Sequence, residues 1–165
     1  MHDDLSTHDS SVTSLLSSRN DDSVTFGKVR IEHIRNGAVI SDETVNNLIT
    51  TAGKSWIAAR QKDSGQPAQL SHMACGSGST AAAVGDTTLG SELARVALTT
   101  AGGTVSTNVV TYTATFPAGT GTGAVTEIGL LNAASVGTLV SRAVFSVKNK
   151  EAGDTIAFTW THTNT

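Results

Sequence analysis

Along most of the chain apolar and polar residues alternate with a period of two, the spacing of a strand with one buried face. In VTFGKVRIEHIRNGAVISDETV, Val29, Ile31 and His33 stand opposite Lys28, Arg30 and Glu32. Asn36-Gly37 between two such runs predicts a β-hairpin, because both central positions of a type I′ turn need positive φ. The next stretch, NNLITTAGKSWIAARQK, moves to helical spacing. Ile49, Ala52, Trp56, Ile57 and Ala59 cluster on one face and Thr50 or Thr51 can cap the start, which predicts one helix of about three turns.

After the helix, QLSHMACGSGS reads as a short apolar strand ending in a Gly/Ser turn. DTTLGSELARVALTT ends as a strand and can begin as a single helical turn. The remainder reads as β throughout. TVSTNVVTYTATF places Val110, Tyr112, Ala114 and Phe116 on one face and Thr111, Thr113 and Thr115 on the other. VTEIGLLNAA places Val125, Glu127, Gly129 and Leu131 opposite Thr126, Ile128 and Leu130. GTLVSRAVFSVKN sets Val140, Arg142 and Val144 against Leu139, Ala143, Phe145 and Val147, and DTIAFTWTHT puts Ile156, Phe158, Trp160 and His162 on one side. The connecting PAGTGTG, NAASVG and NKEAGD are turn chemistry. Roughly seven to nine strands at intervals of about ten residues, with one short helix, predict a mainly β fold, a β-sandwich of jelly-roll type.

Composition agrees with many short strands. The chain has 165 residues and 16.9 kDa, enough for one domain with its own core. Aromatic residues are 4% and charged residues 15%, while Thr and Gly are abundant and Pro nearly absent. Thr is stiff at its β-carbon and fits a pleated surface. A net charge of −3 offers no positive field for nucleic acid, so no polynucleotide partner is expected. The single cysteine, Cys75, cannot form an internal disulfide, which fits assembly in a reducing compartment. With no apolar run long enough for a signal peptide or a membrane span, a soluble chain that is neither secreted by that route nor membrane-spanning is expected.

Residues 1–22 differ from the rest. They carry five Asp and one Arg, a charge of −4, leaving +1 for the remaining 143 residues. This Ser- and Asp-rich segment has one apolar patch, Val12, Leu15 and Leu16, and cannot fold on its own. The expected organisation is an extended N-terminal arm, residues 1–22, ahead of a β-sandwich domain, residues 23–165. Val12, Leu15, Leu16 and Arg19 are its candidate partner-binding residues, held on a neighbouring subunit or partner. The alternative is packing on the arm's own domain.

Candidate chemistry fails motif by motif. AGKS at 52–55 resembles the end of a phosphate-binding loop, but Leu48 stands where that loop needs glycine. The glycines of GSGSTAAAVG do not open an amphipathic helix in a βαβ unit. His72 and Cys75 form an isolated HxxC without the further ligands that zinc requires. No serine occupies a GxSxG elbow. Glu92, Glu127 and Asp154 are scattered too widely to be paired as acid and base. No catalytic residue, metal or cofactor is therefore expected. Glu127 instead has Arg95 and Arg142 as available partners, and a partly buried ion pair of this kind would fix strand register.

The order of motifs carries a resemblance. A GxG turn at Gly76 and Gly78 precedes Asp86, Leu89, Glu92 and Arg95; EIGLLNA follows with Glu127, Gly129 and Asn132; then come Arg142, Phe145, Lys148, Asp154 and Trp160. Over roughly residues 70–163, and more weakly over VRIEHIRNGAVISDETVNNLITTAGKSWIA, this resembles a family of tailed-bacteriophage virion proteins of the capsid decoration, tail and fibre-associated kinds. The acidic arm lies outside the resemblance. It implies a structural role without catalysis, first that of a capsid cement or decoration protein. Such a protein would sit on the outer head shell as a homo-oligomer, dimer or trimer, binding the major capsid protein and clamping capsomers together. The alternative is a tail, baseplate or fibre-adaptor protein with an assembly or host-binding role, its arm docked in the tail and loops such as 64–69 or 120–123 exposed to host glycans. An enzyme such as a polysaccharide depolymerase would need two carboxylates facing each other about 5 to 9.5 Å apart.

Overall fold

The computed structural model describes residues 26–164. Val12, Leu15, Leu16 and Arg19 lie outside the described residues. The described chain runs β1 (Phe26–Arg35), β2 (Ala38–Asn46), β3 (Leu48–Ile49), α1 (Thr51–Arg60), β4 (His72–Gly76), β5 (Glu92–Ala97), β6 (Thr104–Ser106), β7 (Val109–Phe116), β8 (Gly123–Leu131), β9 (Leu139–Lys150) and β10 (Thr155–Thr163). The strands form two five-stranded antiparallel sheets, ordered β2-β1-β10-β7-β6 and β3-β9-β8-β4-β5. Hairpins β1–β2, β4–β5, β6–β7 and β8–β9 stay within one sheet, as does the β3–α1–β4 connection, and the other connections cross between sheets.

The two sheets pack face to face as a β-sandwich. Val29, Ile31, Ala114, Phe116, Ile156, Phe158 and Trp160 of the first sheet meet Met73, Cys75, Ile128, Leu130, Ala143 and Phe145 of the second. Phe158 sits edge-on to Phe116 at 5.5 Å and tilted against Phe145 at 6.0 Å, which ties the two layers together. The alternation read in β1 and β10 holds: Val29, Ile31 and His33, and Ile156, Phe158, Trp160 and His162, are all buried. The β1–β2 turn has φ of 52° at Asn36 and 78° at Gly37, as a two-residue hairpin of this type requires.

The period-two reading breaks at register shifts. Between Val125 and Glu127 the pairing of β8 with β9 slips, and Val125 joins Ile128 and Leu130 in the core instead of sharing a face with Glu127. A second slip at Leu130/Leu131 lets Val140 and Ala143 both reach the core while Arg142 faces away, so Ala143 leaves the face assigned to Leu139. The run 104–116 is two strands, not one, because Thr107 takes a φ of 54° and turns the chain into a hairpin. No helical turn precedes β5. Residues 86–91 are irregular, and the backbone N–H groups of Gly90 and Ser91 are spent on Glu127.

The helix also packs differently from its apolar pattern. Thr50 is the N-cap: its hydroxyl oxygen accepts from Gly53 N–H at 2.9 Å and donates to Leu139 carbonyl at 2.6 Å, joining helix to sheet. Ile49 belongs to β3, and the buried residue of α1 is Gly53. A Cβ at Gly53 would stand 2.1 Å from the Val140 carbonyl oxygen. Gly53→Ala is accordingly expected to destabilise by about 1–3 kcal/mol through overpacking. Urea unfolding checks this, and an unchanged midpoint would mean that the helix does not sit this close to β9.

Candidate functional site

The second sheet carries a buried ionic clasp on its outer face. Glu127 lies on β8, between β9 and β4, and is fully buried. Segment 77–91 folds over it. Glu127 Oε1 accepts from Gly78 N–H at 2.8 Å and Ser91 N–H at 2.8 Å, and Oε2 accepts from Gly90 N–H at 3.0 Å. From β9, Arg142 donates to the same Oε2 through Nε at 2.9 Å and approaches it with Nη2 at 2.8 Å. Arg142 then reaches into the segment, donating to Asp86 at 2.8 Å and to the Thr80 carbonyl at 3.0 Å. Thr126 beside Glu127 donates to the Gly78 carbonyl at 2.9 Å.

Glycine makes the room. A Cβ at Gly76 or Gly78 would stand 2.5 or 2.4 Å from Glu127 Oε1. Gly129 leaves space in which Leu89 of the segment packs with Ala74, Leu131 and Leu139. The clasp therefore combines a small apolar lid with a charge network beneath it.

Burial pushes the Glu127 carboxyl upward, but the bonds from Gly90, Ser91, Arg142 and Gly78 together win and hold it below its usual value. Asp86 is likewise lowered, first by the Ala83 N–H, which outweighs the desolvation penalty, and further by Arg142. Both acids face one arginine, an arrangement that fastens a loop and leaves neither carboxylate poised to exchange a proton with a substrate. Arg95, the other partner expected for Glu127, is elsewhere. It forms a two-pronged pair with Glu92 at 2.9 and 2.7 Å and donates to the Ala133 and Val136 carbonyls at 3.0 and 2.9 Å. Arg95 stands on β5 opposite Ala74, so its strand leaves β4 between it and β8.

A second knot was invisible to spacing in the sequence. Asp154 is buried and accepts from Arg35 at 2.9 and 2.8 Å and from Glu151 N–H at 2.8 Å, with His33 Nε2 2.8 Å away. The Arg35 guanidinium, ahead of the opposing effect of burial, holds this carboxyl well below the carboxylate range. Lys150 donates to the carbonyls of Asp154 at 2.7 Å and Pro117 at 2.9 Å. Lys148 bonds Glu43 of β2, joining the two sheets at their margin. The antiparallel β1–β10 pair brings His33 opposite Ile156 and so beside the 151–154 turn, which only the hairpin order could have suggested.

The remaining candidates separate. Cys75 faces the core and His72 does not, so HxxC is not a joined pair. Burial pushes the Cys75 thiol up to about 11, which keeps it protonated. Among the described residues no group of three or more His, Cys, Asp or Glu is placed to hold a metal ion.

His162 is the buried titratable group with the clearest consequence. It lies 3.1 Å from Ser141 Oγ and edge-on to Tyr112 and Trp160, at 5.5 and 6.1 Å. Burial pushes its imidazole down to about 4, against about 6.5 in an unfolded chain. Between those values the unfolded state binds more protons, so stability falls as pH drops from about 6.5 towards 4, by roughly 3 kcal/mol in all. His162→Gln is expected to flatten that part of the stability–pH curve, measured by urea unfolding at stepped pH. An unchanged slope would contradict the assignment.

Residues 42–162 match the family described as phage tail-collar fibre protein, N-terminal. No curated protein and no solved structure matches the chain. The match places the chain among structural proteins of the tailed-phage particle and favours the tail or fibre reading over capsid decoration. Half of the motif residues converge on the clasp: Gly76, Gly78, Asp86, Leu89, Glu127, Gly129 and Arg142 all touch it or make room for it. Asn132 instead accepts from Thr138 N–H at 2.7 Å within its own turn, and Trp160 and Phe145 belong to the core.

Proposed function

Because the chain belongs to the phage tail-collar fibre family, we propose that it works at the tail of the particle, as a β-sandwich joint through which a fibre is attached. Its partners are a tail or baseplate protein and sister copies of itself, and it does no chemistry. The family match over residues 42–162 is the observation that carries this reading. The geometry supports it, because segment 77–91 and the turns at 132–137 and 151–154 are each tied back to the sandwich by Glu127 and Arg142, by Arg95, and by Asp154. Loops already held in place lose little freedom when a partner docks, so more of the contact energy appears as affinity.

Copy number tests the reading. Quantitative mass spectrometry of purified particles is expected to give far fewer copies of this chain than of the major capsid protein, at the level of other tail components. A count on the scale of the head protein would restore the decoration role and overturn the tail role.

A further inference from the structure

At one end of the sandwich a cleft of about 130 Å³ opens between α1 and the first sheet, bounded by Trp56, Ile57, Arg60, Val110, Tyr112 and His162. We propose that Val12, Leu15 and Leu16 of the chain's own N-terminal segment fill this cleft, with Asp21 and Asp22 passing beside Arg60.

Chain geometry brings the segment to this place. Phe26, the first described residue, pairs with Thr163, and the next pair is Gly27 with His162, itself opposite Val110. The chain therefore enters at the end of the sheet where the cleft opens, two strands away. Two strand spacings are about 10 Å, and the ten residues from Leu16 to Phe26 can span up to about 33 Å. The walls suit apolar side chains. Burial leaves the His162 imidazole neutral near pH 7, its value pushed down to about 4, and raises the Tyr112 hydroxyl to about 12.

Charge agrees with that placement. Lys54 and Arg60 lie on α1 and Lys62 just beyond it, and all three are exposed. Residues 1–22 carry five Asp and one Arg. The Arg60 guanidinium rests 5.8 Å from the Trp56 ring, so the cationic rim and the apolar wall are contiguous. Beside the entry point lies a further unmet demand. The Asn47 amide is enclosed against Gly27, and among the described residues neither its Nδ2 nor its Oδ1 finds a hydrogen-bond partner. Backbone passing the entry point would supply both a donor and an acceptor.

Two measurements on the full chain test this. In Leu16→Cys/Asn164→Cys, a disulfide within one chain should form about tenfold faster than in the control Ser6→Cys/Asn164→Cys, because docking raises the local concentration of one thiol at the other. Asn164 keeps its backbone bonds to Asn108 in both variants, and buried Cys75 stays out of the reaction. Equal rates, or a link between two chains instead of within one, would overturn the proposal. Leu15→Asp should at least double acrylamide quenching of Trp56, since Trp160 is fully buried and contributes little. Quenching identical to that of the unaltered chain would also overturn it.

Discussion

Glu127→Ala is expected to lower the unfolding free energy by about 3–5 kcal/mol, the loss typical of a buried charge left without its partner. Arg142, which is 3% exposed, would keep Asp86 and the Thr80 and Ala81 carbonyls but lose the carboxylate that fills its Nε side. The N–H groups of Gly78, Gly90 and Ser91 would lose their acceptor at the same time. Segment 77–91 should then lift from the sheet, seen as faster amide exchange at those three residues. Glu127→Gln keeps volume and one acceptor oxygen, so it should fall between the two. A loss below about 0.5 kcal/mol for Glu127→Ala, the range of ordinary surface substitutions, would show that the clasp does not hold the segment.

The sign of its pH dependence follows from the lowered Glu127 carboxyl. Stability from this group is fully present above the unfolded value of about 4.3 and is lost as pH falls through the lower folded value. Asp154 acts in the same direction. The carboxylates therefore set the acid limit below about 4.3, while His162 acts in the separate window above it.

Trp160→Ala should cost about 3–5 kcal/mol, since it removes a fully buried ring at the centre of the core. Trp160→Phe should cost less than half as much. The indole Nε1 has no hydrogen-bond partner among the described residues, so the substitution loses volume without stranding a polar group. Calorimetry of the two variants separates packing from hydrogen bonding. Equal losses would mean that the indole N–H matters, and a small loss for Trp160→Ala would mean that the last strand presents its other face to the core.

The strands with simple alternation were legible because burial on one face forces period two: β1, β10 and the Asn36-Gly37 turn were readable at the level of single residues. The faces of β8 and β9 were not, because a register shift leaves no mark in the hydrophobic pattern, and Val125 looked like a neighbour of Glu127 for that reason. The helix misled in another way. Its contact with β9 runs through Gly53, a residue whose lack of side chain is the feature that matters. At the clasp, Glu127 and Arg142 were candidates from their charge alone, but choosing between Arg142 and Arg95 required strand order, since β9 adjoins β8 and β5 does not. Asp86 and the three N–H donors belong to an irregular segment whose path no periodicity reveals. Resemblance pointed to the virion and first to the head shell; the family match moved the assignment towards the tail.

A density map of the intact particle tests the central claim most directly. Fitting the two five-stranded sheets and the clasped segment into that map should place the chain at the tail, where a fibre joins it. The same density repeated across the outer surface of the head, with none at the tail, would contradict the account.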